Sequence, residues 1–339
     1  MKILMLGGTG VIGCALIEQL KNTNNIVYVT SRFERKQVYK NIMYIVGNAN
    51  DYDFINSFED NSFDCLIDFM NYRDEILSRN IDKLSKIAKQ YFFISSARVY
   101  ASSNSDLSEK SNLLKDTSND IDFINSGTYA IKKAKQEEFI KSRINNYVII
   151  RPYKTYFYDR LQLGYYEIKH WLDRLLDNKP IIINSKILDK KTTLTSGFDV
   201  SYGIYKLIGN DIARNEVYQI ATNQYMCWKD VMNIYIDVLL QNGIKPLIYL
   251  NDDTSPIDIF FEKGYQFKYD ILFNRTFNSY KINEAINEVI KYTDMKFGLS
   301  KAVQEYIDIY CHNHDYENDF DKTVDELLLK NDYIEYEVK

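Results

Sequence analysis

The stretch Lys2-Ile3-Leu4-Met5-Leu6-Gly7-Gly8-Thr9-Gly10-Val11-Ile12-Gly13 decides how the rest of the chain is read. Its apolar run is too short for a helix and passes straight into a glycine turn, after which Val11, Ile12, Ala15, Leu16 and Leu20 fall at helical spacing. The order is strand, turn, helix. Gly8, Gly10 and Gly13 satisfy G-x-G-x-x-G, and Gly7, Gly10 and Gly13 satisfy the variant G-x-x-G-x-x-G with the same ending. Glycines at these places permit a tight turn, bring backbone N–H groups close to a pyrophosphate and pack the helix on the strand, whose positive dipole end favours the anion. In this setting the pattern reads as a dinucleotide site built from Gly7, Thr9, Gly10, Val11, Ile12 and Gly13.

Outward from that turn, strands are expected over 26–30, 42–46, 63–69, 91–95 and 147–150, with helices over 11–20, 52–58, 74–89 and 129–143 between them. The helix over 74–89 puts Ile76, Leu77, Ile81, Leu84, Ile87 and Ala88 on one face. Strand and helix alternate, which predicts an α/β fold: a Rossmann-type, doubly wound parallel sheet with ligands at the carboxyl ends of its strands. The polar stretch 102–126 reads as a loop, and loops of that length in compact domains tend to be functional. Past Arg151 the pattern is irregular. Residues 1–160 with about 196–230 are assigned to the dinucleotide-binding domain, about 161–195 and 231–310 to a smaller mixed substrate lobe, and 311–339 to an acidic tail.

The totals narrow the function. The chain has 339 residues, 45% of them hydrophobic, and a formal charge of −5. Residues 315–339 alone hold nine Asp/Glu against three Lys/Arg, so the body is nearly neutral and lacks the basic surface that nucleic-acid binding needs. The four cysteines, Cys14, Cys65, Cys227 and Cys311, are far apart, with Cys14 and Cys65 in apolar settings, which suits free thiols in a reducing compartment. The first strand begins at Lys2, leaving no room for a cleavable signal, and no later apolar run is long enough to span a membrane. A cytoplasmic protein without membrane or nucleic-acid partners is the expectation. Cys311, His312 and His314 match no standard metal spacing, so no metal is assigned. The acidic end reads as a solvated tail.

Chemistry is expected where two strand-end segments meet. Ser95-Ser96-Ala97-Arg98-Val99-Tyr100 leaves the fifth strand, and Tyr129-Ala130-Ile131-Lys132-Lys133 puts Tyr129 and Lys133 on one helix face, four residues apart. A free tyrosine has a pKa of about 10 and needs a nearby cation to act near neutrality. Lys133 is placed to supply it, and Ser96 to hydrogen-bond the oxygen that Tyr129 protonates.

With these pieces the chain resembles an extended short-chain dehydrogenase/reductase, the group of nucleotide-sugar epimerases, dehydratases and reductases, over about residues 1–310. The glycine turn, Ser95 to Tyr100, the Tyr129/Lys133 pair, Arg151-Pro152 and Asp199-Val200 carry the resemblance. It implies that Ser96 and Tyr129 bind the carbonyl, that Lys133 holds the nicotinamide ribose, and that Phe69 and Pro152 border the cofactor. It also implies substrate contacts near Arg98 and Arg160, with Gln162, Tyr165 and Tyr166 nearby, and a homodimer through the helices over 74–89 and 129–143. Ser96-Ala97-Arg98 stands where a dehydratase of the group has Thr-Asp-Glu, so the acids needed to eliminate water are missing. Asp68-Phe69-Met70-Asn71-Tyr72 replaces the small residues usual after strand four, and Gly47-Asn48 replaces Gly-Asp, with Asn48 still offering an amide to the adenine.

Cofactor choice rests on the end of strand two, about 20 residues past the glycines, where an NAD site carries an acid for the ribose hydroxyls. Here the sequence is Thr30-Ser31-Arg32, with Arg35 and Lys36 beyond. Ser31 stands in the acid's place and Arg32 is able to grip a phosphate, so NADP (as NADPH) is favoured over NAD. The sequence therefore reads as an NADPH-dependent reductase of a nucleotide-linked keto-sugar. The alternatives are an NAD-dependent nucleotide-sugar epimerase using the same residues, and a non-catalytic cofactor-binding or RNA-associated relative.

Overall fold

In the computed structural model, which describes residues 1–252, 264–310, 319–330 and 333–336, the opening stretch forms strand β1 (Lys2–Leu6), the glycine turn and helix α1 (Val11–Leu20). Ile3 to Leu6 are fully buried because both faces of the strand are covered. Two glycines are required by shape. Gly7 sits at φ +67°, and a Cβ on Gly13 would lie 2.3 Å from the Gly8 carbonyl oxygen, so only glycine lets α1 pack this close to the turn.

Strands β2 (Ile26–Ser31), β3 (Ile42–Val46), β4 (Phe63–Asp68), β5 (Ala88–Ile94) and β6 (Tyr147–Pro152) join β1 and the later strand Glu216–Ile220 in one seven-stranded sheet. Starting from Glu216–Ile220 its order is β6, β5, β4, β1, β2, β3, and every pair is parallel. The order reverses between β1 and β4, which opens the crevice where ligands of such sheets bind. Met5, facing both Val29 and Ile67 in register, belongs to the core on one face together with Leu16, Leu20, Val200 and Ile204. Leu4 and Leu6 belong to the other face, with Leu77, Leu84 and Ile140. The period-two alternation of β1 thus feeds two cores.

Helix α2 (Tyr52–Asn56) is capped by Asp51, and α3 (Asp74–Ile87) ends where Ala88 begins pairing with Phe63. That is two residues sooner than the expected helix end at Lys89, because strand pairing takes Ala88 to Gln90. The stretch 102–126, expected as a loop, contains α4 (Leu114–Thr117) and α5 (Ile121–Asn125), whose Leu114 and Phe123 are buried against Ala130 and Ile131. Helix α6 (Tyr129–Arg143) buries Ile131, Ala134 and Ile140, and with them Lys133, Gln136 and Glu137. Polar residues on a buried helix face need partners, and they anticipate the site.

A third core gathers α7 (Ile168–Leu176), α8 (Trp228–Gln241) and the helix Met295–Ile309, with Trp171 stacked on Tyr235 at 4.7 Å. A small sheet pairs Ile181–Asn184 with Ile248–Asn251, in parallel. The acidic end is not simply a solvated tail. Asp319–Lys330 is a helix, and the guanidinium of Arg174, 1% exposed, binds Asp321 Oδ1 at 2.8 Å and Asp325 Oδ1 at 2.5 Å. Ile334–Glu335 then pairs antiparallel with Ile248–Asn251, and Tyr336 donates its N–H to Ile248 O. A buried cation needs opposite charge, and the acids of this end supply it. Among the described residues no helix is long and apolar enough to cross a membrane.

Candidate active site

At the carboxyl ends of β1, β4, β5 and β6 a cavity of about 440 Å³ opens. The glycine turn gives Gly7, Gly10, Val11, Ile12 and Gly13 to its wall; Phe69 follows β4, Ser96 and Arg98 follow β5, Pro152 ends β6, and Tyr129 and Lys133 come from the first turns of α6. Arg160 lines it as well. Residues as far apart in sequence as Gly7 and Gln266 thus share one cavity, which lies at the switch point of the sheet. A larger cleft of about 880 Å³, between α1 and the helix Met295–Ile309, holds none of these residues.

The glycine turn has the shape an anion needs. Gly10 caps α1 without a side chain to occupy the first-turn amides, and a Cβ added to it would meet nothing within 4 Å. The helix N-terminus therefore has open space before it, as a pyrophosphate requires. Thr9 lies beside this space and accepts the Cys14 thiol on its carbonyl at 3.4 Å; Cys14 is half-buried.

Four expected cofactor residues, Thr9, Ser31, Arg32 and Asn48, are not among those that line the cavity. Ser31 is buried and its hydroxyl accepts from Arg35 Nε at 3.3 Å, while Arg32 is exposed with its guanidinium 5.9 Å from the Phe33 ring centre. Asn48 is exposed and accepts from the Asn50 N–H at 3.1 Å. Arg35, close to Ser31, is a second cation at this end.

Two cations stand near Tyr129, Arg98 and Lys133. Burial raises the Tyr129 pKa; Arg98 first, then Arg160 and hydrogen bonding with Ser96, act to lower it. The Arg98 guanidinium lies 5.2 Å from the Tyr129 ring centre, nearer than the Lys133 ammonium at 6.0 Å. Lys133 donates instead to the carbonyls of Ile94 at 2.9 Å and Met70 at 3.2 Å, and burial pulls its pKa down to about 8 against the pull of Asp68. Ser96 turns its hydroxyl oxygen to the Arg98 N–H at 3.2 Å, capping a short helical turn.

Behind this wall stands a buried scaffold. Glu137, one turn beyond Lys133, accepts Arg151 Nε at 2.9 Å, Arg151 Nη2 at 2.5 Å and the Ser95 hydroxyl at 2.5 Å. It ties α6, β6 and β5 together beneath Ser96. Asp68, at the end of β4, accepts the Tyr91 and Tyr72 hydroxyls at 2.8 and 2.9 Å and the Met70 N–H at 2.9 Å. Burial pushes its carboxyl up to about 6.

Sequence reading missed Lys154, Glu167, Gln266 and Asp270. Lys154, Glu167 and Gln266 line the cavity; Asp270, on a helical turn over 267–271, lies buried behind it. The one signal for Lys154 was its place just after Arg151-Pro152; the turn bearing Asp270 had no periodic pattern to mark it. Cys311, His312 and His314 lie outside the described residues, among which no cluster of His, Cys, Asp and Glu is arranged to hold a metal ion.

A parallel sheet with a glycine turn at its switch point and a Tyr-x-x-x-Lys helix beside it defines an α/β protein of Rossmann type. More particularly, the chain has the fold of the extended short-chain dehydrogenase/reductases that act on nucleotide sugars. It is similar to UDP-N-acetylglucosamine 4-epimerase from Methanobrevibacter ruminantium, solved in complex with UDP-N-acetylmuramic acid, with a TM-score of 0.67, 18% identity, and 91% of this chain and 99% of that one covered. It is likewise similar to UDP-glucuronic acid 4-epimerase from Bacillus cereus, solved in complex with NAD, with a TM-score of 0.67, 14% identity, and 94% and 100% covered. At these identities the likeness is one of fold. In sequence, the chain is 27% identical over 242 residues to chloroplast stem-loop binding protein of 41 kDa b from Arabidopsis thaliana, an alignment that takes in 66% of this chain. The chain spans 60% of the length of that curated relative. No protein-family model matches the chain.

Proposed function

We propose that this protein transfers hydride between a nicotinamide dinucleotide and a carbon of a nucleotide-linked sugar, working as an NADPH-dependent reductase of a keto-sugar. The observation that carries this reading is the single cavity joining the glycine turn to Ser96, Tyr129 and Lys133. The turn and the N-terminus of α1 would hold the pyrophosphate, Phe69 and Pro152 would border the dinucleotide, and the nicotinamide, when bound, supplies the hydride. The sugar is inferred from the fold neighbours, whose own ligands include UDP-N-acetylmuramic acid and NAD.

Within the site, Ser96 holds the carbonyl oxygen and Tyr129 protonates it. Burial keeps Tyr129 protonated, which suits a proton donor. The phenolate left after transfer is stabilised by the neighbouring guanidinium of Arg98. Lys133, fixed by two carbonyls, is positioned for the ribose hydroxyls. The preference for NADPH rests on Ser31 in place of an acid, with Arg32 and Arg35 at hand for a phosphate. A homodimer through α3 and α6 belongs to the same reading and is tested by light scattering.

The epimerase reading is favoured by the names of the fold neighbours, and RNA binding by the name of the Arabidopsis relative. Three separate assays distinguish them: NADPH with keto-sugar nucleotides, NAD with nucleotide sugars that carry a free hydroxyl, and stem-loop RNA. Stoichiometric NADPH oxidation, lost in Tyr129→Phe while NADPH binding persists, supports the reductase. Sugar inversion without net cofactor use supports the epimerase, and tight stem-loop RNA binding without turnover supports the third reading.

A further inference from the structure

Among the described residues, four cations border the cavity, Arg98, Lys133, Lys154 and Arg160, and one carboxylate, Glu167. Lys133 is occupied by its two carbonyls. The other three are poorly paired. Asp270, behind the wall, already accepts Arg275 Nε at 2.9 Å and the Tyr153 hydroxyl at 3.1 Å on one oxygen. Its other oxygen lies 3.7 Å from both Arg98 Nε and Lys154 Nζ, and neither it nor the buried Arg98 Nε makes a hydrogen bond. Arg160 is 3.6 Å from Glu167, which Gln162 also engages. Among the described residues, two carboxylates, Asp270 and Glu167, therefore face four cations, counting Arg275.

Lys154 is the most exacting of them. Its side chain is 3% exposed, and its ammonium donates only at 3.4 Å, to Gln162 Oε1 and to Gly164 O. Its backbone is at φ +31°, a strained angle for a residue with a Cβ, and such strain collects at ligand-binding sites. A buried ammonium without close acceptors is costly, and a ligand anion would offset that cost. Burial also draws its pKa down to about 8.

The position of the surplus matters as much as its size. A cofactor pyrophosphate is served by the N-terminus of α1, whereas Arg98 stands against the Tyr129 ring. Arg160, half exposed, suits a substrate diphosphate. Resting on the proposed function, the geometry points to an acidic sugar as substrate, a nucleotide-linked uronic acid or similar, whose carboxylate is held by Arg98 and Lys154 beside the carbon that Tyr129 serves.

The test is calorimetric titration of the full chain, saturated with NADPH, using two matched pairs, UDP-glucose with UDP-glucuronate and GDP-mannose with GDP-mannuronate, together with UDP and GDP alone. In the series that binds, the acidic sugar is expected to bind at least about ten-fold more tightly than its neutral partner. Lys154→Gln should remove that advantage and leave the neutral sugar and the bare nucleotide within about two-fold of wild type. Equal affinity for acidic and neutral sugars overturns the inference and leaves the proposed function standing. So does a loss of UDP or GDP binding in Lys154→Gln, which would assign Lys154 to the diphosphate. Failure of all six compounds to bind overturns both. The wild-type comparison decides the matter even if a variant does not fold.

Discussion

Glu137 should be among the residues whose loss this fold tolerates least. It is 1% exposed, lies on α6 and holds both Arg151 of β6 and Ser95 of β5, and the Arg151 side chain is itself 3% exposed. Replacing it by methionine keeps the volume but strands a buried guanidinium, which costs about 3–5 kcal/mol in comparable cases. The Ser95 hydroxyl loses its acceptor as well, adding about 1 kcal/mol. Urea unfolding of Glu137→Met should therefore show a midpoint well below wild type. Removing the stranded charge too, in Glu137→Met/Arg151→Met, should recover most of the loss, because the desolvation of both ions disappears together. A single variant within about 1 kcal/mol of wild type, or a double variant no better than the single, would show that the buried pair does not bind the three elements together.

Other consequences follow from the same charges. Lys154 has a pKa of about 8 in the fold against 10.5 unfolded, so its burial costs about 3 kcal/mol at pH 7, and the cost fades as pH rises from about 8 to 10.5. Lys154→Met should thus exceed wild type in stability at pH 7 and lose that lead by pH 10.5; thermal melts across this range, read as the difference between the two proteins, check it. Truncation before residue 319 leaves Arg174 without Asp321 and Asp325 and should destabilise the third core by about 3 kcal/mol, with Arg174→Met in the truncated chain restoring part of it. Asp68, raised to about 6 by burial, binds its proton more readily folded than unfolded. Its contribution to stability is thus largest in acid and declines as pH rises from about 4 to 6, a dependence that Asp68→Asn should remove.

The sheet was legible because its strands are short apolar runs punctuated by turns, and because the glycines at 7, 10 and 13 have one structural use in that setting. The pairing of Tyr129 with Lys133 was legible from helical spacing, and their meeting with Ser96 from the order of strands. What local pattern does not carry is which cation stands nearest Tyr129. Helical spacing nominated Lys133, but Met70 and Ile94, on two other strands' ends, capture its ammonium, and Arg98 lies nearer the ring. Lys154 and Asp270 depend on a contact across 116 positions, and the acidic end looked solvated because its partner Arg174 lies some 150 residues away. Long-range pairing of charges leaves no periodic trace in a sequence.

The most direct test of the central claim is a fluorescence titration of the purified protein, stripped of co-purified nucleotide, with NADPH and NADH side by side. Saturable binding of both is predicted, with NADPH the tighter and its advantage reduced in Arg32→Ala, as expected of a glycine turn that holds a pyrophosphate and a cation that holds a ribose phosphate. Binding of neither would contradict the dinucleotide site itself, and a preference for NADH would contradict the assignment of Arg32 and move the reading to the epimerase.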